Sequence, residues 1–229
     1  MISENRTAVV IGSTGVTGSA LLVQLCNSPA YNQVISFSRK PPSFDHSKLA
    51  SHIVDFENLD AWAKEIKGDD FFSALGTTRK TAGSLDNQYR IDHDYQVSAM
   101  KAAAANGVER LFLVSSPNAS SKSFFFYTRM KGNVENAARS MAFKTKVFIQ
   151  PSLIVGNRPE KRRGESIAAN VSKGIENVSN LLPSNKLRQS VMRVMPITGQ
   201  ELASGIVTIA ERPLTDGVHI YAFDQIPRA

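Results

Sequence analysis

The chain has 229 residues, of which 42% are hydrophobic and 21% charged, a composition that excludes general disorder. It holds one cysteine, Cys26, so no internal disulfide can form, and no apolar run reaches the roughly 18–20 residues that cross a bilayer. The amino terminus lacks a signal-peptide pattern. We therefore expect a cytoplasmic globular protein with no membrane partner.

The formal net charge is +7, which raises the question of a nucleic-acid partner. The basic residues are scattered, and the densest cluster is only Lys161, Arg162 and Arg163, without the interleaved aromatic residues that stack on bases. We interpret this cluster as a solvated loop or a contact to an anionic ligand, rather than as a nucleic-acid site.

The first two-thirds of the chain alternates short apolar runs, typical of buried parallel strands, with helical patterns. Strands are predicted at 8–11, 34–38, 52–54, 71–75, 111–114 and 147–150. Helices are predicted at 19–27, 59–66, 92–106 and 127–141. This alternation predicts an α/β fold, a Rossmann-type doubly wound parallel sheet over residues 1–150.

After Pro151 the pattern becomes irregular, and we predict that residues 151–229 form a small substrate lobe packed on the core. Thr198 and Glu201 have the spacing of a capping box, which predicts a helix over 202–211. A last edge strand is predicted at 218–223.

A glycine-rich loop joins the first predicted strand to the first helix. It comprises Gly12, Ser13, Thr14, Gly15, Val16, Thr17 and Gly18. Glycine lets a backbone turn sharply and approach a ligand, and a helix amino terminus offers free N–H donors to a pyrophosphate. The position of this GxxGxxG loop predicts dinucleotide binding, and the alternative is a purely structural turn.

The second predicted strand is followed by Ser38, Arg39 and Lys40. NAD-binding chains usually carry an acidic residue here, which would repel a 2′-phosphate, whereas a guanidinium donates hydrogen bonds to it. The sequence therefore predicts NADP(H), unless Arg39 belongs to an exposed basic turn. Asp55, with Phe56 after the third strand, is expected either at the adenine or as a helix cap.

Tyr127 and Lys131 stand four residues apart at the start of a predicted helix, so they share one helical face. A nearby ammonium stabilises a phenolate, which suits a general acid–base pair. Ser115 and Ser116 end the fifth strand at the sheet edge where ligands of such folds bind. The run 124–126 is expected to pack between these segments, or else to line an apolar substrate pocket.

These motifs resemble those of the short-chain dehydrogenase/reductases, in particular the atypical TIP30-like (Tat-interacting protein) branch. The similarity extends over nearly the whole chain and includes GSTGVTG from Gly12, ALGTTRKTAGS from Ala74, YRIDHDY from Tyr89, YTRMKG from Tyr127 and QPSLIVGNR from Gln150.

The resemblance implies that Gly12, Gly15 and Gly18 hold the pyrophosphate and Arg39 the 2′-phosphate. Further implied contacts are Leu75 and Gly76 near the ribose, Lys131 on the nicotinamide ribose, and Pro151, Ser152 and Leu153 beside the nicotinamide. Tyr127 would exchange the proton while hydride passes between cofactor and a small carbonyl or alcohol, held by Tyr127 and one of the two serines, with Ser116 preferred.

Two other functions stay open on the sequence. The asparagine that completes a proton relay in many relatives has no clear counterpart around 92–100, which together with the basic cluster at 161–163 leaves room for a non-catalytic NADP(H) sensor. Sugar-nucleotide epimerisation is a lesser alternative. A protein partner or a homodimer also stays open, and no metal site is expected, since the four histidines lack ligand spacing.

Overall fold

A computed structural model describes residues 5–156 and 196–227. Its strands are β1 Arg6–Ile11, β2 Tyr31–Ser38, β3 Leu49–Ile53, β4 Asp70–Ser73, β5 Arg110–Val114, β6 Thr145–Gln150, β7 Ile154–Val155, β8 Ile197–Thr198 and β9 Gly217–Ala222. Its helices are α1 Val16–Asn27, α2 Arg79–Ala82, α3 Leu85–Tyr89, α4 Tyr95–Ala105, α5 Phe126–Arg139 and α6 Gly199–Ala210.

The main sheet has seven strands in the order β3-β2-β1-β4-β5-β6-β9, and every pairing in it is parallel. The chain leaves β1 towards β2 on one side and returns to β4 on the other, so the connections diverge between β1 and β4. Such a divergence opens a crevice at the carboxyl ends of the strands. The predicted doubly wound Rossmann-type sheet is confirmed.

Both faces of the sheet are covered, which explains the continuous apolar runs of the central strands. Val10 in β1 faces the cluster that includes residues of α1 and α6, whereas its neighbour Val9 faces the cluster of α4 and α5. In β4, Phe72 likewise faces the first of these clusters and Phe71 the second. Because side chains alternate along a strand, each central strand contributes to two cores.

The C-terminal region completes this architecture. Helix α6 packs against α1, and β9 extends the sheet next to β6. The capping box is present, with the Thr198 hydroxyl accepting from Glu201 N and the Glu201 carboxylate accepting from Thr198 N. The boundary at residue 150 stays a prediction, and the basic cluster 161–163 lies outside the described residues.

A buried ionic network ties α6 to the amino edge of the sheet. Asp70, at the start of β4, is fully buried and accepts hydrogen bonds from Arg6, Tyr31 and Arg110. Both arginines also donate to the Ala210 carbonyl at the end of α6. One carboxylate thus links β1, β2, β4, β5 and α6 at the edge opposite the crevice.

Two local predictions were wrong. The helix expected at 59–66 is replaced by two short helical turns, Phe56–Ala61 and Ala63–Glu65, because Asp55 caps the first of them by accepting from Glu57 N at 2.9 Å. The helix expected from residue 92 begins as α4 only at Tyr95, after a widened turn over Arg90–Asp94. Such wide turns within helices are often found at functional sites.

None of the helices in the described ranges is long and apolar enough to span a membrane.

Candidate active site

The glycine loop turns the chain from β1 into α1. Gly12 has φ +81°, and a Cβ there would lie 2.4 Å from Leu75 N. A Cβ at Gly18 would lie 2.0 Å from Gly12 O. Both contacts are far shorter than atoms tolerate, so the loop needs glycine at these two positions. The glycines thus permit close packing within the chain, and the approach of this loop to a ligand stays a prediction.

Helix α1 begins after this turn with its first N–H groups uncapped by any side chain, since its N-cap residue is Gly15. Uncapped N–H groups and the helix dipole attract an anionic group. Gly15, Val16 and Thr17 line a cavity of about 920 Å³ at the carboxyl edge of the sheet. The start of α1 can therefore hold a phosphate facing this cavity.

The cavity brings together many of the predicted site residues. Those lining it are Gly15, Val16, Thr17, Leu75, Gly76, Ser115, Ser116, Tyr127, Lys131, Pro151, Ser152 and Leu153. They come from the start of α1, from α5 and from the loops after β1, β4, β5 and β6, which all lie at one edge of the sheet. The set expected for pyrophosphate, nicotinamide and substrate thus faces one space.

The other predicted residues lie away from the cavity lining. These are Gly12, Ser13, Thr14, Gly18, Ser38, Arg39, Lys40, Asp55 and Phe56. The Ser13 side chain is buried and accepts a hydrogen bond of 2.6 Å from the Ser36 hydroxyl. Only its backbone is therefore placed to meet a ligand.

The two serines after β5 have different surroundings. The Ser115 hydroxyl donates to Glu135 Oε1 at 2.5 Å, and Gln150 Nε2 donates to the same oxygen at 2.9 Å. The Ser116 hydroxyl is buried and has no hydrogen-bond partner among the described residues. A buried hydroxyl of this kind is available to a ligand oxygen, whereas that of Ser115 is engaged.

Tyr127 and Lys131 lie on the first turns of α5. Lys131 is buried while Tyr127 is 43% exposed, so the lysine stands deeper in the cavity than the phenol. The exposed phenol can reach a substrate that enters from solvent, with the ammonium behind it. This arrangement suits proton transfer at the cavity mouth.

Two basic residues, Arg39 and Lys40, follow the end of β2. The Ser38 hydroxyl donates to Lys40 O at 2.7 Å, which fixes the turn, and the side chains of Arg39 and Lys40 are exposed. Arg39 lies close enough to Tyr95 to act on its hydroxyl electrostatically. Burial, together with the Glu57 carboxylate, raises the pKa of Tyr95 to about 12.

Asp55 has the capping role described above, while Phe56 is buried against Trp62 and Tyr95. The helix-cap alternative for Asp55 is therefore found, and an adenine contact stays a prediction. Arg39, Asp55 and Phe56 follow adjacent strands, β2 and β3, at the same edge of the sheet. Their place at the adenosine end of the site stays a prediction.

Sequence reasoning missed Asp92. It lies in the widened turn before α4, is buried, and lines the cavity. Its Oδ1 accepts from Thr77 N at 2.6 Å, and burial raises the pKa of its carboxyl although the Lys131 ammonium and this hydrogen bond oppose the rise. Only the acidic residue itself, at the start of the helix predicted at 92–106, signalled it in the sequence.

The expected packing of the run 124–126 is wrong for Phe124 and Phe125, whereas Phe126 is half-buried and its ring lies near that of Tyr89; none of the three lines the cavity. Phe124 is 98% and Phe125 78% exposed, because the segment turns outward before α5 begins at Phe126. Leu153, at the cavity mouth, is also exposed. Among residues 5–156 and 196–227, no cluster of metal-ligating side chains is found.

Comparisons with known proteins agree with this architecture. Residues 12–147 match a family model described as NAD(P)H-binding. A protein named fmp52, mitochondrial, from Emericella nidulans is 38% identical over 166 residues, covering 69% of this chain and 71% of that protein. FMP52-1, mitochondrial, from Scheffersomyces stipitis is 33% identical over 216 residues, covering 92% and 91%.

Solved structures support the fold. A short-chain dehydrogenase/reductase superfamily protein from Agrobacterium tumefaciens with bound NAD has a TM-score of 0.65 at 15% identity, covering 94% of this chain and 76% of that one. UDP-glucose 4-epimerase from Thermotoga maritima has a TM-score of 0.65 at 11% identity, covering 94% and 75%. At these identities the likeness concerns the fold alone.

The family match defines an NAD(P)H-binding protein, and its Rossmann-type fold is shared with a short-chain dehydrogenase/reductase superfamily protein. More narrowly, the chain belongs to the NAD(P)H-binding family and, within it, to the group of the FMP52 proteins. The resemblance to the TIP30-like branch stays a prediction. The expected cytoplasmic location is wrong, because these relatives are named as mitochondrial proteins.

Proposed function

We propose that the chain is an NADP(H)-dependent oxidoreductase that transfers hydride between the nicotinamide and a small carbonyl or alcohol. The observation that carries this proposal is the meeting of Ser116, Tyr127 and Lys131 with the start of α1 in one cavity. Residues that bind a dinucleotide and residues that move a proton rarely share a space unless the two act together.

The residues present fit the cofactor. Gly12 and Gly18 let the loop pack tightly against Leu75 and against its own backbone, and the uncapped start of α1 supplies donors to the pyrophosphate. Lys131 would hold the nicotinamide ribose, with Leu75 and Gly76 on the ribose side. Residues 151–153 would flank the nicotinamide, which supplies or takes the hydride.

The chain's own groups handle the proton. In the reducing direction Tyr127 gives its hydroxyl proton to the substrate oxygen as the carbonyl carbon gains hydride. Ser116 donates a second hydrogen bond to that oxygen, and the Lys131 ammonium stabilises the phenolate that remains. In the oxidising direction Tyr127 takes the proton from the alcohol.

The preference for NADP(H) over NAD(H) is assigned to Arg39. It is exposed at the end of β2, where no acidic side chain follows the strand directly. A charged hydrogen bond is worth roughly 1.5–3 kcal/mol, which corresponds to about a ten- to hundredfold preference.

Replacing Tyr127 by Phe tests the proposal. Calorimetry with NADPH, NADP, NADH and NAD first selects the nucleotide, and a panel of small aldehydes, ketones and alcohols then selects a substrate. Tyr127→Phe should lower the rate about 10²–10⁴-fold with nearly unchanged cofactor affinity, since only the proton is lost. Tyr221→Phe, on β9 and outside the cavity lining, is the matched control. Full turnover by Tyr127→Phe would refute the role of the tyrosine.

A second candidate is a non-catalytic NADP(H) sensor that signals to a protein partner. The exposed Phe124 and Phe125 favour it, because they present an apolar pair to a partner directly before the helix that carries Tyr127 and Lys131. Steady oxidation of NADPH with any carbonyl of the panel would count against it. Sugar-nucleotide epimerisation has only the shared fold of an epimerase in its favour.

The names of the FMP52 relatives support a mitochondrial place of action. Immunodetection of the chain in a purified mitochondrial fraction of its host cells would agree with this. Recovery in the soluble fraction alone would contradict it.

A further inference from the structure

Asp92 is a buried acid at the wall of the cavity that the proposed chemistry does not yet use. It is 1% exposed, and its two carboxylate oxygens have different surroundings. Oδ1 accepts the hydrogen bond from Thr77 N, whereas Oδ2 is buried with no partner among the described residues. A buried carboxylate oxygen without a partner is costly, so its persistence calls for a compensating charge or ligand group.

The compensating charge stands across the cavity. Lys131, on α5, is 3% exposed, lines the same space, and acts electrostatically on Asp92 without forming a direct ion pair with it. Since both groups line one cavity, a water or a ligand hydroxyl between them would donate to the carboxylate and accept from the ammonium. In a low-dielectric cavity such an interaction is stronger than at the surface.

We propose that Asp92 is a positioning residue of this site, whose free oxygen Oδ2 holds the Lys131 ammonium in the cavity through a bridging water or ligand hydroxyl. The inference rests on the proposed function for the role of Lys131 in catalysis. It places a carboxylate next to Lys131 in the stretch 92–100, where the sequence has no clear counterpart of the relay asparagine.

The backbone around Asp92 supports this role. The Gln96 amide donates to Asp92 O at 2.5 Å, and the Ser73 hydroxyl donates to Gln96 Oε1 at 2.8 Å, which ties the widened turn to the end of β4. All three side chains are buried. The carboxylate is thus held on a rigid support, as a group that positions another must be.

A purely structural role for Asp92 makes a different prediction. The hydrogen bond from Thr77 N needs only an oxygen, which asparagine also provides. Asp92→Asn therefore keeps this bond and removes the charge alone. If Asp92 merely fixes the loop at Thr77, the variant leaves Lys131 unchanged.

The test is the reactivity of Lys131 towards acetic anhydride, measured by mass spectrometry on the folded chain without nucleotide and normalised to exposed lysines. Only the neutral amine reacts, so loss of a stabilising carboxylate should raise the rate at Lys131 about tenfold in Asp92→Asn. Asp94→Asn is the matched control, because Asp94 belongs to the same turn but pairs with His93. Equal rates in Asp92→Asn and the unaltered chain would overturn the proposal.

A thermal double-mutant cycle provides a second measurement. Lys131→Met leaves the buried carboxylate uncompensated and should lower the unfolding midpoint, while adding Asp92→Asn should restore at least about half of the lost stability. Strictly additive midpoints would contradict the coupling of the two charges.

Repeating the acetylation experiment with saturating NADPH distinguishes a failure of this inference from a failure of the proposed function. Protection of Lys131 from acetylation is expected if the lysine binds the nicotinamide ribose. An Asp92 effect without such protection would refute the cofactor role of Lys131 and leave the inference standing. Protection without an Asp92 effect would support the cofactor role of Lys131 and refute the inference about Asp92.

Discussion

The Ser115 hydroxyl donates to the Glu135 carboxylate, and this bond decides which of the two adjacent serines is free to meet a ligand. Glu135 lies on α5, two turns after Tyr127, and its carboxylate is buried. The helix that carries Tyr127 and Lys131 therefore also engages the Ser115 hydroxyl. The hydroxyl left over for the substrate is that of Ser116.

Replacing each serine by alanine should separate these roles. Ser116→Ala should lower the turnover rate about ten- to hundredfold with little change in stability, since it removes a hydrogen bond to the substrate oxygen. Ser115→Ala should instead destabilise the fold by about 1 kcal/mol with a small change in rate. Steady-state kinetics and urea unfolding of both variants check this, and the opposite pattern would exchange the roles.

Arg39→Ala should reduce the preference for NADP(H) over NAD(H) about ten- to hundredfold, because the 2′-phosphate loses its guanidinium partner. NADH affinity should hardly change. Calorimetry with both nucleotides measures the ratio directly. Lys67→Ala, an exposed cation before β4 at the opposite edge of the sheet, is the matched control for net charge. An unchanged ratio in Arg39→Ala would remove the arginine from the adenosine site.

Asp70→Asn should destabilise the chain by about 3–5 kcal/mol, because Arg6 and Arg110 would be left without their buried counter-charge. Urea unfolding measures the loss. Asp69→Asn is the neighbouring control, since its exposed side chain needs only an acceptor for Thr7 N, and a change below about 0.5 kcal/mol is expected. Equal stability of the two variants would show that the network contributes little.

Cys26 provides a pH-dependent probe of folding. Burial raises the pKa of its thiol to about 11 from an ordinary value of 9.0, so the fold favours the protonated form. This stabilising contribution is present below the unfolded pKa and is lost as the pH rises from about 9 towards 11. Iodoacetamide near pH 9 should alkylate the native chain much more slowly than the urea-unfolded chain. Equal rates would show that the thiol is accessible.

The sequence predicted those features that depend on neighbouring residues. The turn at Gly12, the helix spacing of Tyr127 and Lys131, and the capping box at Thr198 all follow from local pattern, and each has the expected place in the structure. Contacts between distant segments had no such signal. Glu135 meets Ser115 and Asp92 meets Thr77 only after the strands have assembled, so no local pattern marks them.

The predicted boundaries of helical segments were wrong for a related reason. Apolar spacing suggested a helix over 59–66, whereas Asp55 starts a tight turn earlier and Trp62 is drawn into the core against Phe37. The aromatic run at Phe124 was expected to be buried on hydrophobicity alone. Its exposure is decided by where α5 begins.

The packing of α6 on α1 has a consequence for synthesis of the chain on the ribosome. The glycine loop and α1 are translated well before the helix that covers α1 and the strand β9 that completes the sheet. A nascent chain released from its template early would expose the apolar face of α1 and lack a supported phosphate cradle. Cofactor capture is therefore expected only once α6 and β9 have been translated, and products that stop before them are expected to be substrates for chaperones and proteases rather than partial nucleotide binders.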